Sequence, residues 1–412
     1  MNLSGGIRLS KFKFSNLENR TNTMSEKWDR SKEIFNNEDI LPMWVADSDW
    51  QTAPTVKERL LERAASGIFG YTFADQSVEQ AVENWLEKRF DLKIEKDWLI
   101  FDTGVVPAIN FSLKAITEAD DAVIIQPPVY KPFFAAVKNN NCQLIENELL
   151  NENDHYQMDL KTLEKQIKES KKQGQAVKAM IFCSPHNPVG RVWDQAELLE
   201  LLRLLNKEDI FLLSDEIHSD LVYPEYEHQP ALKILLERDE FKDYRKKVIT
   251  FMAASKTFNI AGLHTSYTVI ESKELRAAYE EAKEGFATSN SPFGLLALKN
   301  AYNEGEEWLE GQLKYLKENY DFLKEYLEAE IPEIKLTAAE GTYLVWLDCS
   351  QLGFESDEQL IEFMNQKAKV GLNPGRWFGD AGSMYMRLNL ACPRKRLKEG
   401  LKRIRNAVKA LN

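Results

Sequence analysis

Apolar runs of strand length alternate with amphipathic stretches of helix length through the middle of this 412-residue chain. Ala122–Gln126, Val177–Cys183, Ile210–Ser214, Val248–Ala253 and Thr265–Ile270 read as strands, with helical stretches such as Ala196–Asn206 between them. A short apolar run bounded by helices suits a strand buried on both faces, the arrangement of a parallel sheet with helical crossovers. The expected fold class is therefore α/β, with a mostly parallel central sheet sandwiched by helices.

The pattern changes toward the C-terminus. From Glu306 to Glu330, Leu309, Leu313, Leu316, Tyr320, Leu323 and Leu327 keep a helical spacing for about seven turns, long enough to link two domains. Beyond it, "IKLTAAEGTYLVWLD" reads as a turn and a strand, and "RKRLKEGLKRIRNAVKAL" as a closing helix. The expected division is a large domain over 59–300 and a smaller α+β domain over 301–412 that opens with the helix at about 306–330.

Charge removes several function classes. The chain has 53 Lys plus Arg against 65 Asp plus Glu, a formal charge of -12, and no basic tract. That balance repels phosphate backbones and anionic lipid, so neither a nucleic acid nor a membrane is expected as partner. Cys142, Cys183, Cys349 and Cys392 are scattered without a C-x-x-C pair, which suggests neither a disulfide framework nor a zinc knuckle. The first thirty residues lack a continuous apolar stretch, and no run of ~18 apolar residues occurs anywhere, so the expectation is a cytoplasmic protein.

Parallel α/β sheets place ligands in the crevice beyond the carboxyl ends of their strands, and three strand ends here carry unusual chemistry. "AMIFC" runs into "SPHNPVG" and puts Asn187 on a turn; "IFLLS" runs into "DEIHSD" and delivers Asp215 and His218; "VITFMA" runs into "ASKTFN" and delivers Lys256. Taken singly these read as a common turn, a helix cap and a surface-loop lysine. Together they fit one chemistry. A lysine that forms a Schiff base must be available as a neutral amine, and the uncharged surround of Lys256 in "FMAASKTFNIAGLHTS" lowers its pKa. A pyridine cofactor on that lysine needs an anion opposite its ring nitrogen, a role that suits Asp215. Asn187 and His218 can then bond the ring hydroxyl, and Tyr130 in "QPPVYKPF" offers a flat face for stacking. The turn "DTGVVPA", with Gly104, Val105 and Val106, offers backbone N–H groups to a phosphate at a helix N-terminus.

The ordered set "LPMWVADSDW", "GIFGYT", "TGVV", "QPPVYKPF", "SPHNPVGRVW", "SDEIHSDL", "SKTFNIAGL", "NPGRWFG" and "MRLNLACPR" resembles the fold-type I pyridoxal-phosphate enzymes, and within them the carbon–sulfur lyase branch of the MalY/PatB type. The resemblance covers nearly the whole chain from about Phe12. It implies the fold-type I transferase fold, with residues 1–58 joining the small domain, and pyridoxal 5'-phosphate as cofactor. It also implies Lys256 as the Schiff-base lysine, Asp215 as partner of the ring nitrogen, Tyr130 as the stacking residue and Arg387 as the clamp for the substrate carboxylate, a task that suits a planar guanidinium. Tyr71 is expected to reach the neighbouring subunit's cofactor phosphate, making a homodimer with shared sites the smallest active unit. Trp44–Asp47, with Ala46, would lie over the substrate.

Related aminotransferases carry a hydroxyl three residues before the lysine and an arginine eight residues after it. Here these positions are Ala253 and His264, which leaves Ser255 as the hydroxyl donor, and Ser48 stands where the branch often has methionine. His264 and His218 favour a lyase. The implied reaction is α,β-elimination from an L-amino acid with a sulfur leaving group, such as cystathionine or cysteine. An aminotransferase, and a cofactor-binding regulatory protein that acts through protein contacts, are the alternative readings. A metal site from Asp215, Glu216, His218 and Asp220 lacks a ligand pair at metal spacing, so no metal is expected.

Overall fold

The computed structural model describes residues 12–286 and 289–411. Seven strands form its main sheet: β1 (Leu99–Asp102), β2 (Ala122–Ile125), β3 (Gln143–Glu146), β4 (Val177–Cys183), β5 (Phe211–Asp215), β6 (Val248–Met252) and β7 (Ser266–Val269). Their order across the sheet is β1-β7-β6-β5-β4-β2-β3. Strands β3, β2, β4, β5 and β6 run parallel, whereas β7 is antiparallel to both β6 and β1. The apolar runs read as strands are all present, and the inner ones are buried on both faces: every residue of β2, β6 and β7 is buried. The alternation that implies a parallel sheet does not foresee the reversed β7. Only 13 residues separate Met252 from Ser266, and they hold short turns instead of a full crossover helix.

Helices fill the connections. α1 (Val105–Ile116) follows β1, and α2 (Gln195–Glu208) follows β4 behind a capping box in which Asp194 and Glu197 satisfy each other's backbone N–H groups. α3 spans Glu306–Glu330, and its leucine and tyrosine stripe is buried throughout. Truncating one of these leucines, such as Leu316, to alanine costs about 2–5 kcal/mol through lost burial and the cavity left behind.

After α3 comes a four-stranded antiparallel sheet of β8 (Lys335–Leu336), β9 (Leu344–Asp348), β10 (Asn373–Pro374) and β11 (Tyr385–Asn389), in the order β8-β9-β11-β10. Helix α4 (Arg394–Lys409) closes the chain. The N-terminal segment reaches this region directly, since Leu41–Pro42 pairs in parallel with Val370–Gly371. Among the described residues, no helix is long and apolar enough to cross a membrane.

Candidate active site

Register brings the chemistry to one edge of the main sheet. Cys183 at the end of β4 lies opposite Asp215 at the end of β5, and Asp215 lies opposite Phe251 near the end of β6. The reversed β7 begins at that edge as well, with Ser266 opposite Asp102. The turns that leave these strand ends therefore enclose one cavity of about 620 Å³.

All of the sequence-predicted site residues except Tyr71 line that cavity: Lys256, Asp215, Asn187, His218, Tyr130, Ser255, Gly104, Val105 and Val106 from the main-sheet side, Ala46 from the N-terminal segment, and Arg387 from β11. Tyr71 is elsewhere, fully exposed in the stretch 67–73, which has no regular secondary structure. Ser48 is buried outside the cavity lining, its backbone N–H and carbonyl both bonded to the Asn259 amide. Its hydroxyl thus has no part in shaping the cavity wall. Ala253, Ser255 and His264 do face the cavity, joined by Thr265 and Ser266.

Burial sets the charge states. The Asp215 carboxyl is pushed up to about 7 by desolvation, against the opposing pull of the Ile217 N–H and Lys256. The same desolvation pushes His218 down to about 3, so its imidazole is neutral. Lys256 retains some accessible surface in the cavity, yet burial lowers its pKa, with Arg387 adding to the effect and Asp47 and Asp215 opposing it. Even the guanidinium of Arg387 is pushed down, to about 10, by burial.

Arg387 is held by three acceptors. Nη1 donates to Asn187 Oδ1 at 3.0 Å, while Nη2 donates to Trp44 O at 3.0 Å and to Asn373 Oδ1 at 2.7 Å. Its Cζ lies 4.9 Å from the centre of the Phe378 ring, and its Nε has no hydrogen-bond partner. A buried, planar cation fixed at its edges and stacked on a ring is suited to gripping a carboxylate.

The segment 44–50 is gripped carbonyl by carbonyl. Asn389 Nδ2 donates to Val45 O and Asp47 O, Lys256 Nζ to Ala46 O at 3.0 Å, and Asn259 Nδ2 to Ser48 O and Trp50 O. Within it, Asp49 is fully buried yet meets Arg20, Lys27 and Arg396, and Lys27, Arg396 and the Trp28 indole N–H keep its carboxyl below its usual range despite desolvation. Asn259, Asn373 and Asn389 are the positioning residues that sequence reasoning passes over. An asparagine is ordinary in a loop or at a strand end, so the only signal available was adjacency: Asn259 lies three residues after Lys256, and Asn389 two after Arg387.

The chain matches, over residues 45–404, the family described as aminotransferase class I and II. The chain belongs to this family. Within the class I and II aminotransferases, it is 38% identical over 397 residues to cystathionine beta-lyase PatB of Bacillus subtilis (strain 168), covering 96% of this chain and 99% of that protein. Protein MalY of Escherichia coli (strain K12) is 30% identical, with 97% of this chain and all of that protein covered. Among solved structures, cystalysin from Treponema denticola, which contains a pyridoxal 5'-phosphate cofactor, superposes with a TM-score of 0.91 at 36% identity, covering 97% of this chain and 100% of that one. The main sheet, with its one reversed strand, is thus the sheet of a fold-type I enzyme of this family.

Proposed function

We propose that this protein is a pyridoxal 5'-phosphate-dependent carbon–sulfur lyase that releases thiol, pyruvate and ammonia from L-cystathionine, L-cysteine or a related sulfur amino acid. The observation that carries the reading is that a lysine of lowered pKa, a buried carboxyl and a carboxylate-gripping arginine share one cavity, in a chain 38% identical to a cystathionine beta-lyase.

The residues present fit the cofactor. Helix α1 has no side-chain cap, and the first-turn N–H groups of Val105 and Val106 have no carbonyl within the helix to bond, so a phosphate is welcome there. The buried Nδ1 of His218 has no partner, and Asn187 lines the same cavity, so the wall offers two polar groups for a ring hydroxyl. When bound, pyridoxal 5'-phosphate supplies a carbonyl carbon that captures amines and a protonated ring that draws electrons away from the substrate's α-carbon.

The rest falls to the chain. With the cofactor bound, Lys256 would hold it through its amine and would serve as the general base for the substrate's α-proton. Asp215 would hold a proton at the ring nitrogen. Arg387 grips the substrate carboxylate and so aims the α-hydrogen at Lys256. The segment 44–47 shuts water away from the reacting bonds. His264, in place of the arginine of related aminotransferases, and His218, in place of a tyrosine, favour elimination over amino transfer.

The test is turnover of L-cystathionine by cofactor-loaded protein, with pyruvate and free thiol followed in one assay and amino transfer to an added 2-oxo acid in another. Equal pyruvate and thiol without any 2-oxo acid is the expected result. Turnover that requires the acceptor, with negligible thiol, makes the protein an aminotransferase. Absence of both across several sulfur amino acids leaves a cofactor-binding regulatory protein.

A further inference from the structure

One backbone oxygen in the cavity wall serves two side chains. Ala46 O accepts from Lys256 Nζ at 3.0 Å and from the hydroxyl of Tyr343 at 3.1 Å. A carbonyl oxygen has two lone pairs, so both are engaged. Tyr343 is fully buried, its ring edge-on to His218 at 6.1 Å, and burial raises its pKa, so the phenol remains a donor.

Neither partner is free to swing away. Tyr343 adjoins β9, and its own carbonyl accepts from Leu390 N at 2.9 Å. Ala46 is flanked by Val45 and Asp47, whose carbonyls both accept from Asn389. Gly190 fixes the loop that leads to Tyr343. Its carbonyl accepts from the N–H groups of Glu340 and Gly341, and its positive φ of 75° and a space that would put a Cβ 2.7 Å from that of Ala339 both demand glycine.

We propose that Tyr343 is a positioning residue for Lys256, acting through the Ala46 carbonyl that both side chains share. By donating to that oxygen, Tyr343 draws electron density from it and leaves a weaker acceptor for Nζ–H. An ammonium gains more from a carbonyl than an amine does, so a weakened acceptor favours the neutral amine. The other groups around Lys256 are Asp47 and Asp215, which favour the ammonium, Arg387, which disfavours it, and the neutral His218. Tyr343 acts on the amine without carrying charge, through an oxygen held in place by others.

The role in turnover rests on the reading of Lys256 as amine and base given above, but the protonation of the lysine is measurable without any reaction. Cofactor-free protein is reductively methylated across a pH series, and the Lys256 peptide is quantified by mass spectrometry. Tyr343→Phe should move the midpoint up by about half to one pH unit, a roughly 3- to 10-fold loss of neutral amine below it. Placing 3-fluorotyrosine at position 343 alone strengthens that phenol as a donor and should move the midpoint down. Asn389→Ala separates this from a merely structural effect, because releasing the carbonyl removes the acceptor and lowers the midpoint. A Tyr343→Phe midpoint that stays or falls overturns the proposal, and so does a fluorotyrosine midpoint that fails to fall. Failure of the lyase assay alone would leave these shifts in place and overturn only the reaction.

Discussion

Arg387 and Asn187 meet at 3.0 Å, guanidinium Nη1 donating to amide Oδ1, although 200 residues separate them in the chain. The contact joins β11 of the small sheet to the turn that leaves β4 of the main sheet. The residue expected to grip the substrate is thereby registered against one expected to touch the cofactor.

Arg387→Lys should raise KM for cystathionine at least about 10-fold with little change in cofactor content, because one ammonium cannot reproduce the flat fork that reaches Asn187, Trp44 and Asn373 together. Asn187→Ala should act on both substrate and cofactor, since it removes an Arg387 acceptor and a cavity-wall polar group at once. Steady-state kinetics beside the cofactor absorbance separates the two variants. Equal KM in Arg387→Lys and wild type would remove Arg387 from substrate binding.

Borohydride reduction of loaded protein should fix the cofactor to Lys256, with the label mapped to the peptide containing "SKTFNIAG". Burial lowers the pKa of this lysine, whereas Lys207, exposed and bonded to Glu164, is held above its ordinary value. A label on any other lysine contradicts the assignment, and Lys256→Ala should show neither label nor turnover.

How much of this was legible in the sequence follows from how each residue is constrained. Val177–Cys183 and Val248–Met252 are inner strands, so their residues are apolar apart from Lys178 and Thr250 and the runs are easily read. Gln143–Glu146 is an edge strand with exposed side chains, and its polar residues carry no strand signal. The reversal of β7 depends on the length of a connection, not on any residue in the strand. In the cavity, Lys256, Asp215 and Asn187 were legible because their chemistry is unusual at strand ends. Tyr343 was not, since an aromatic residue at the start of a buried strand has a core role by default.

The buried carboxyl of Asp215 makes a prediction about stability. In the folded, cofactor-free protein it titrates at about 7, against about 3.9 in an unfolded chain. Between these values the native state keeps a proton that the unfolded state gives up, so stability falls as pH rises from about 4 to about 7. The full effect is on the order of 2–4 kcal/mol. Asp215→Asn removes it, so the change in stability from pH 5 to pH 7, read from urea melts, should be more positive in the variant than in the wild type. Lys256 and His218, present in both proteins, have lowered pKa values that make stability rise with pH, the opposite sign, so the difference between the two proteins reports Asp215 together with its own effect on Lys256. Identical pH dependence in the two proteins would mean that Asp215 is ionised in the native state without the cofactor.

Tyr71 supports the last prediction through its surroundings. It is wholly exposed, and Ile68, Phe69 and Phe73 beside it are exposed by 71%, 57% and 80%. Four large apolar or aromatic side chains within six residues, on a stretch without regular secondary structure, are costly to leave in water and suit a surface for a second protein. A second copy of this chain, with Tyr71 reaching the partner's cavity, is the arrangement we propose. Tyr71→Ala and Lys256→Ala should each be strongly impaired alone. Mixed and allowed to exchange subunits, half of the dimers become hybrids, and each hybrid pairs an intact Lys256 with an intact Tyr71 at one of its two sites, so roughly a quarter of wild-type activity should return. Subunit exchange is verified by native mass spectrometry of one isotope-labelled partner. Hybrid dimers that form without regaining activity would mean that Tyr71 does not act across the interface.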